Sequence, residues 1–372
     1  MGHQSTQNRK NTRQPSECPV ISTNNEQLVA QTDVKTVYFH IGSIKTGSTL
    51  LQKLSYEKRN VLLTHDVDYI QFEPPRLDLP RWANADALME EKIDVNLISS
   101  RLEASTASKI LISEEGLLPR PHVWQHKIFR NYRRVIVLFL RNSVELVASW
   151  ASENSLPYNY LQKVHASGQG TVSVRDGLKL WTRTYSAMLI NLCKALEQDP
   201  SLEIIILPFP KANSIEESLV SAFFQGLGLS KEVVAEHFGD HVDDIANVGR
   251  TRKYCDASHL LTQLAEEYEI PFIYSKRFVD EIESKLESGD NRKVIETLSD
   301  DEMKSIHDML IAPAYQLIEK YGAPERISNM PEIFGSQRDT YSKIDPDELR
   351  KLFLEAIVER FRRSAIAART SS

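Results

Sequence analysis

Four short runs of consecutive apolar residues stand out along the chain: TVYFHI (36–41), KILIS (109–113), RVIVLFL (134–140) and EIIIL (203–207). Each is apolar on both faces of a strand, the pattern of a parallel sheet covered by helices on both sides. Between and after them, apolar positions recur at helical spacing. SIEESLVSAFFQGLG opens on Ser214 with Glu217 three residues on, and SDDEMKSIHDML repeats the device with Ser299 and Glu302. In such a capping box the hydroxyl and the carboxylate each take one backbone N–H left over at the helix start. From residue 257 to 322 the pattern predicts an almost wholly helical stretch. A last helix starts at DPDEL, where Asp345 caps and Pro346 takes the first helical position. Leu349, Leu352, Phe353, Ile357 and Phe361 then share one face. Strands alternating with helices early, and helices alone late, predict one α/β domain with a helical C-terminal portion.

Residues 1–34 are polar and rich in Asn, Gln, Ser and Thr, and read as a disordered tail. The expected organisation is therefore a tail (1–34), an α/β domain (35–327), and a linker with an amphipathic helix (328–372). Composition changes little in this picture: 372 residues, 41% hydrophobic, 26% charged, formal net charge -6. A mildly acidic chain gives no support to broad nucleic-acid binding, so no nucleic-acid partner is expected. Cys18, Cys193 and Cys255 are widely spaced, which favours reduced thiols and a cytoplasmic protein over a disulfide framework or a metal centre. No apolar run reaches the ~18 residues of a membrane span. The first residues lack the apolar core of a secretion signal, although MGHQST matches the short N-myristoylation pattern.

The chemistry is concentrated in two places. The first is FHIGSIKTGSTLLQKL (39–54), a strand, a small-residue turn and a helix start. Gly42 and Gly47 have the separation of a phosphate-binding loop, and Thr49 stands where the loop hydroxyl belongs. The position that should hold lysine is Ser48, and a lysine appears three residues earlier as Lys45. Such a turn directs backbone N–H groups and the positive end of a helix at an anion. The second place is VIVLFLRNSVELVASW (135–150), where a buried strand ends in Arg141 and Ser149 follows eight residues later. An arginine at the carboxyl end of a parallel strand stands where such sheets bind ligands, and its guanidinium can grip a phosphate.

Together the two segments resemble the PAPS-dependent sulfotransferases, most of all the bacterial and carbohydrate-type branch, which carries HIGxxKTG[ST]T. The resemblance is specific over residues 36–150 and loose to residue 229. It implies a P-loop-like three-layer fold with a central parallel sheet flanked by helices. It also implies 3′-phosphoadenosine 5′-phosphosulfate as sulfuryl donor, adenosine 3′,5′-bisphosphate as product, and no metal. By the same resemblance Gly42, Lys45, Thr46, Gly47, Ser48 and Thr49 hold the 5′-phosphosulfate, and Arg141 and Ser149 hold the 3′-phosphate. Two departures stand out. LPFPKAN (207–213) replaces the family's Tyr-Glu-Asp stretch, and the basic loop that closes on the 3′-phosphate is matched only by NVGRTRKY (247–254), with Arg250 or Arg252 as the cation.

Sulfuryl transfer needs a cation at the bridging oxygen, the role of Lys45, and a base for the acceptor hydroxyl. ILISEEGL places Glu114 and Glu115 after a core strand, and Glu115 is the expected base. His40 lies inside the first strand and reads as a core histidine. His65, His122 and His126 fall in segments expected to frame the acceptor pocket, and Trp150, Tyr158, Tyr160 and Trp181 are candidates to line it or to stack on adenine. The acceptor would be a small molecule, a carbohydrate or a lipid. Two other readings stand beside this one: an ATP-dependent kinase with a variant loop, and a non-catalytic nucleotide-binding protein on the same fold.

Overall fold

The computed structural model describes residues 34–42, 46–72, 82–89, 93–154, 173–209, 219–239, 250–268, 276–321 and 343–370. In chain order these form β1 (Thr36–His40), α1 (Ser48–Glu57), α2 (Arg59–Thr64), β2 (Val67–Tyr69), α3 (Asp86–Met89), α4 (Val95–Ala104), β3 (Lys109–Ser113), α5 (Pro121–Trp124) and β4 (Arg133–Leu140). There follow α6 (Ser143–Asn154), α7 (Val174–Gln198), β5 (Leu202–Pro208), α8 (Leu219–Gly226), α9 (Lys231–Phe238), α10 (Arg252–Glu267), α11 (Lys276–Glu283), α12 (Asp300–Tyr321) and α13 (Pro346–Thr370).

The strands make one parallel sheet in the order β2-β3-β1-β4-β5. At its centre, His40 of β1 pairs with Ser113 of β3 on one side and Val137 of β4 on the other. The chain leaves β1 toward β2 at one edge and leaves β4 toward β5 at the other. Neighbouring strands whose outgoing connections diverge leave a crevice at their carboxyl ends, where open α/β sheets take ligands.

Alternation along the strands divides the core into two layers. Val37, Phe39, Ile110, Ile112, Ile136, Leu138 and Leu140 face one layer, filled by α4, α6, α7 and α12. Tyr38, Leu111, Val135, Val137 and Phe139 face the other, where α1, α2, α8 and α9 supply Leu51, Leu54, Leu62, Phe223, Phe224 and Phe238. This is the three-layer α/β arrangement expected from the apolar runs. A third cluster joins α10, α11 and α13, with Leu261, Phe278, Val279, Leu349, Phe353 and Ile357 at its centre. Among the described residues no helix is long and apolar enough to cross a membrane.

Three local expectations meet different outcomes. The capping box at Ser299 forms, with Ser299 N–H on Glu302 Oε2 at 2.9 Å and Glu302 N–H on Ser299 Oγ at 3.2 Å. The one at Ser214 lies outside the described residues. The almost wholly helical stretch expected over 257–322 is met by α10, α11 and α12 but interrupted: residues 269–275 and 322 lie outside the described residues, and the chain between α11 and α12 leaves helix. There, Arg252 and Lys253 N–H groups bond to Arg292 and Asp290 carbonyls, both at 2.7 Å, and Thr251 bridges Lys293. The turn run Ser288-Gly289-Asp290-Asn291 explains the break, because Asp290 takes the Arg292 N–H at 2.9 Å in place of a helical carbonyl. The Glu348 carboxylate on α13 accepts the Glu287 and Ser288 N–H groups at 2.6 and 3.2 Å, which ties the last helix to this break. The edge strand β2 has three residues, too few for a periodic signal.

Candidate functional site

The turn after β1 starts at the carboxyl end of the sheet, where β1 and β4 are neighbours. Gly42 is buried, and residues 43–45, Lys45 among them, lie outside the described residues. Thr46 is fully buried. Gly47 caps α1 with φ 76°, in the left-handed region where a Cβ is strained, and Leu219 of α8 occupies the place that a Cβ would take. Ser48 is the first residue of α1 and is buried, while Thr49 is exposed. The N-cap residue, Gly47, brings no side chain to cap this helix, and the first turn holds no acid. Its leading N–H groups and the positive end of its dipole therefore converge on the turn without a negative partner from the helix itself.

Four buried polar atoms on β1 and α1 have no hydrogen-bond partner among the described residues: His40 Nε2, and Ser48 Oγ, Gln52 Nε2 and Ser55 Oγ along one face of α1. Orphaned buried polar groups are uncommon and expensive, and two of these, His40 Nε2 and Ser48 Oγ, both lie beside Gly42. His40 Nδ1 lies 2.7 Å from Ser113 Oγ at the end of β3. Burial alone pushes the His40 ring down to about 3, so it is neutral. Ser113 is held from both sides by Asn84, which takes its N–H on Oδ1 at 2.7 Å and donates its own N–H to the Ser113 carbonyl at 3.3 Å.

On the neighbouring strand, Arg141 stands directly after β4. Its side chain is 23% exposed, its Nε lies 3.3 Å from Glu145 Oε2, and its guanidinium sits 4.9 Å above the Phe209 ring. β4 runs on past β1: Arg141 is four residues beyond Val137, the partner of His40, or about 13 Å along the strand. Ser149 is half-buried and shares with Glu145 one face of α6, four residues on. α10 abuts the same helix, with Cys255 Sγ 3.4 Å from the Ser152 carbonyl. Arg250 stands two residues before the start of α10 and lies over the Tyr254 ring at 4.7 Å. Arg252 is buried and committed to Asp256 at 2.9 Å, which leaves Arg250 as the more accessible cation of the two. Burial pushes Tyr254 up to about 12 and raises the Asp256 carboxyl despite its arginine.

The glutamate pair follows β3, beside β1. Glu114 donates its N–H to the His40 carbonyl at 3.1 Å, and its carboxylate accepts the Gly116 N–H at 3.2 Å. Glu115 is half-buried in the first turn of a 3₁₀ helix. Of the histidines, His65 precedes β2 and so lies at the amino end of the sheet, away from the crevice. His122 is exposed, and His126 caps the Ile128 N–H at 3.4 Å. Trp150 and Trp181 stack on each other at 3.8 Å inside the core, so they are packing residues; Tyr158 and Tyr160 lie outside the described residues. The residues that sequence reasoning missed are Asn84, Ser113, Glu145 and Phe209. Only Glu145 carried a local signal, its spacing of four from Arg141 at a helix start. Among the described residues no group of three His, Cys, Asp or Glu side chains is placed to hold a metal ion.

Compared with protein-family models, with curated proteins and with solved structures, the chain matches none.

Proposed function

We propose that the chain is a sulfotransferase that takes 3′-phosphoadenosine 5′-phosphosulfate into the crevice between β1 and β4. The observation that carries this reading is the amino end of α1, whose first turn holds no acid, with Ser48 Oγ buried and unpartnered among the described residues, at the point where the strand connections diverge. Arg141, directly after the adjacent strand, and Ser149 on the helix that follows supply a second anion position at the carboxyl end of the sheet.

In this reading the 5′-phosphosulfate rests on the turn, held by backbone N–H groups from Gly42 to Thr49 and by the Ser48 and Thr49 hydroxyls. Arg141, Ser149 and Arg250 take the 3′-phosphate. The acceptor is a hydroxyl of a small molecule, sugar or lipid. Its oxygen forms the new bond to sulfur as the bond from sulfur to the bridging oxygen breaks. Charge builds on that bridging oxygen, where Lys45 stabilises it, and the acceptor proton passes to Glu115. Adenosine 3′,5′-bisphosphate leaves. Glu114 is a poorer base because its carboxylate already caps the following turn.

Thermal unfolding tests the donor. Adenosine 3′,5′-bisphosphate raises the melting temperature without magnesium, while ATP with magnesium does not. The opposite ranking rejects the sulfotransferase in favour of a kinase. Stabilisation by the bisphosphate, with no turnover of the phosphosulfate against any hydroxylated acceptor, leaves a binding protein.

A further inference from the structure

His40 has no part in the steps above, yet it is a fully buried polar side chain beside the glycine turn. The ring is fully buried between Phe139 and Phe223, with centroids 6.0 and 4.8 Å away. Nδ1 meets Ser113 Oγ; Nε2 meets nothing among the described residues. Ser48 Oγ, in a residue 1% exposed, is in the same condition. A Cβ built on Gly42 would lie 3.3 Å from His40 Nε2 and would overlap Ser48 Oγ. The two orphaned atoms therefore flank one small volume, and the missing side chain of Gly42 keeps it open.

Hydrogen accounting favours one ring tautomer. Neutral imidazole has one donor and one acceptor nitrogen. Ser113 Oγ and His40 Nδ1 lie 2.7 Å apart. With the ring proton on Nε2, Nδ1 accepts the Ser113 hydroxyl, which gives that hydroxyl proton a partner among the described residues and leaves the ring N–H on the side of Ser48. Asn84 grips the Ser113 backbone on both sides and is itself anchored to the Ile70 and Leu111 carbonyls at 2.8 and 2.9 Å, which fixes the point from which the hydroxyl is presented.

We infer that His40 is a positioning residue of the anion site: its Nε2–H donates to Ser48 Oγ when an oxyanion docks, which turns the Ser48 proton toward the ligand oxygen. The completed chain runs from Ser113 through His40 and Ser48 to the anion, and every donor in it is used. The inference rests on the proposed anion site at α1 and adds the group that aims its serine.

Three measurements test it. In the free protein, the ¹⁵N shifts of the His40 ring report a protonated Nε2 and an unprotonated Nδ1. Adding adenosine 3′,5′-bisphosphate moves the Nε2 proton downfield in the wild type and leaves it unmoved in Ser48→Ala. Third, a His40→Asn side chain reaches the Nδ1 position and keeps the Ser113 bond but not the inward donor, whereas His40→Gln places an amide N–H where Nε2 was. Bisphosphate affinity falls roughly tenfold in His40→Asn and stays within about threefold of wild type in His40→Gln. A proton on Nδ1, or equal affinity in wild type and His40→Asn, overturns the inference while the donor site stands. Wild-type protein that binds neither the bisphosphate nor inorganic phosphate overturns the site itself, and the inference with it.

Discussion

Gly47 shows how one residue joins fold and site. Its φ of 76° starts α1, and Leu219 fills the space beside it. Gly47→Ala therefore loses about 1–3 kcal/mol of stability in urea titrations, from the left-handed backbone and the crowding together. His40 makes a second residue-scale prediction. Its folded value of about 3 lies below the ordinary 6.5, so below pH 6.5 the unfolded chain takes up a proton that the folded chain refuses. The stability from keeping the ring neutral is complete above pH 6.5 and falls as pH drops toward 3, by about 1.4 kcal/mol per unit. His40→Gln flattens that slope between pH 4 and 6.5, and an unchanged slope would remove His40 as its source. Among the residues proposed to hold the donor, Arg141→Ala weakens bisphosphate binding by about 1.5–3 kcal/mol, the worth of a lost charged hydrogen bond, in calorimetric titration. Lys45→Ala removes most turnover while leaving that binding largely intact; equal turnover in the variant would reject its role at the bridging oxygen.

At the scale of elements, legibility followed contact range. β1, β3, β4 and β5 announced themselves because each is apolar on both faces, and the reason is visible in the two cores they separate. β2 stayed silent because three residues carry no period, and its place at the sheet edge is set by pairing with β3 and by Val67 and Tyr69 in the core. The break after α11 was hidden by helix-forming residues on either side of a four-residue turn, and its stability comes from α10 and α13, distant in sequence. The last helix was legible in its buried face, and Phe353 is its centre, 6.3 Å from the Phe278 ring. Phe353→Ala costs about 3–5 kcal/mol in denaturant unfolding, as expected for a large cavity in a small cluster. A loss below about 1 kcal/mol would show that α13 adds little to the fold.

For the whole molecule, each half of the candidate site could be read locally: a glycine turn before a helix, and an arginine closing a strand. Their meeting could not, since adjacency of β1 and β4 is a property of strand order, fixed only when β3 takes the other side of β1. The support behind the turn was less legible still. His40 reaches Ser113 across 73 residues, and Ser113 reaches Asn84 across 29, with no motif at either end. Sequence reasoning assigned His40 to the core, which is where it lies, but burial did not reveal that one of its nitrogens would be left without a partner.

The central claim is that the two ends of one doubly phosphorylated adenosine are gripped by α1 and by the end of β4. A structure of the chain with adenosine 3′,5′-bisphosphate tests it most directly. The account predicts the 5′-phosphate on the amino end of α1 within hydrogen-bond reach of Ser48, and the 3′-phosphate against Arg141 and Ser149. A nucleotide bound away from the crevice between β1 and β4, or bound there with Arg141 still closed on Glu145 and no phosphate beside it, would contradict the account.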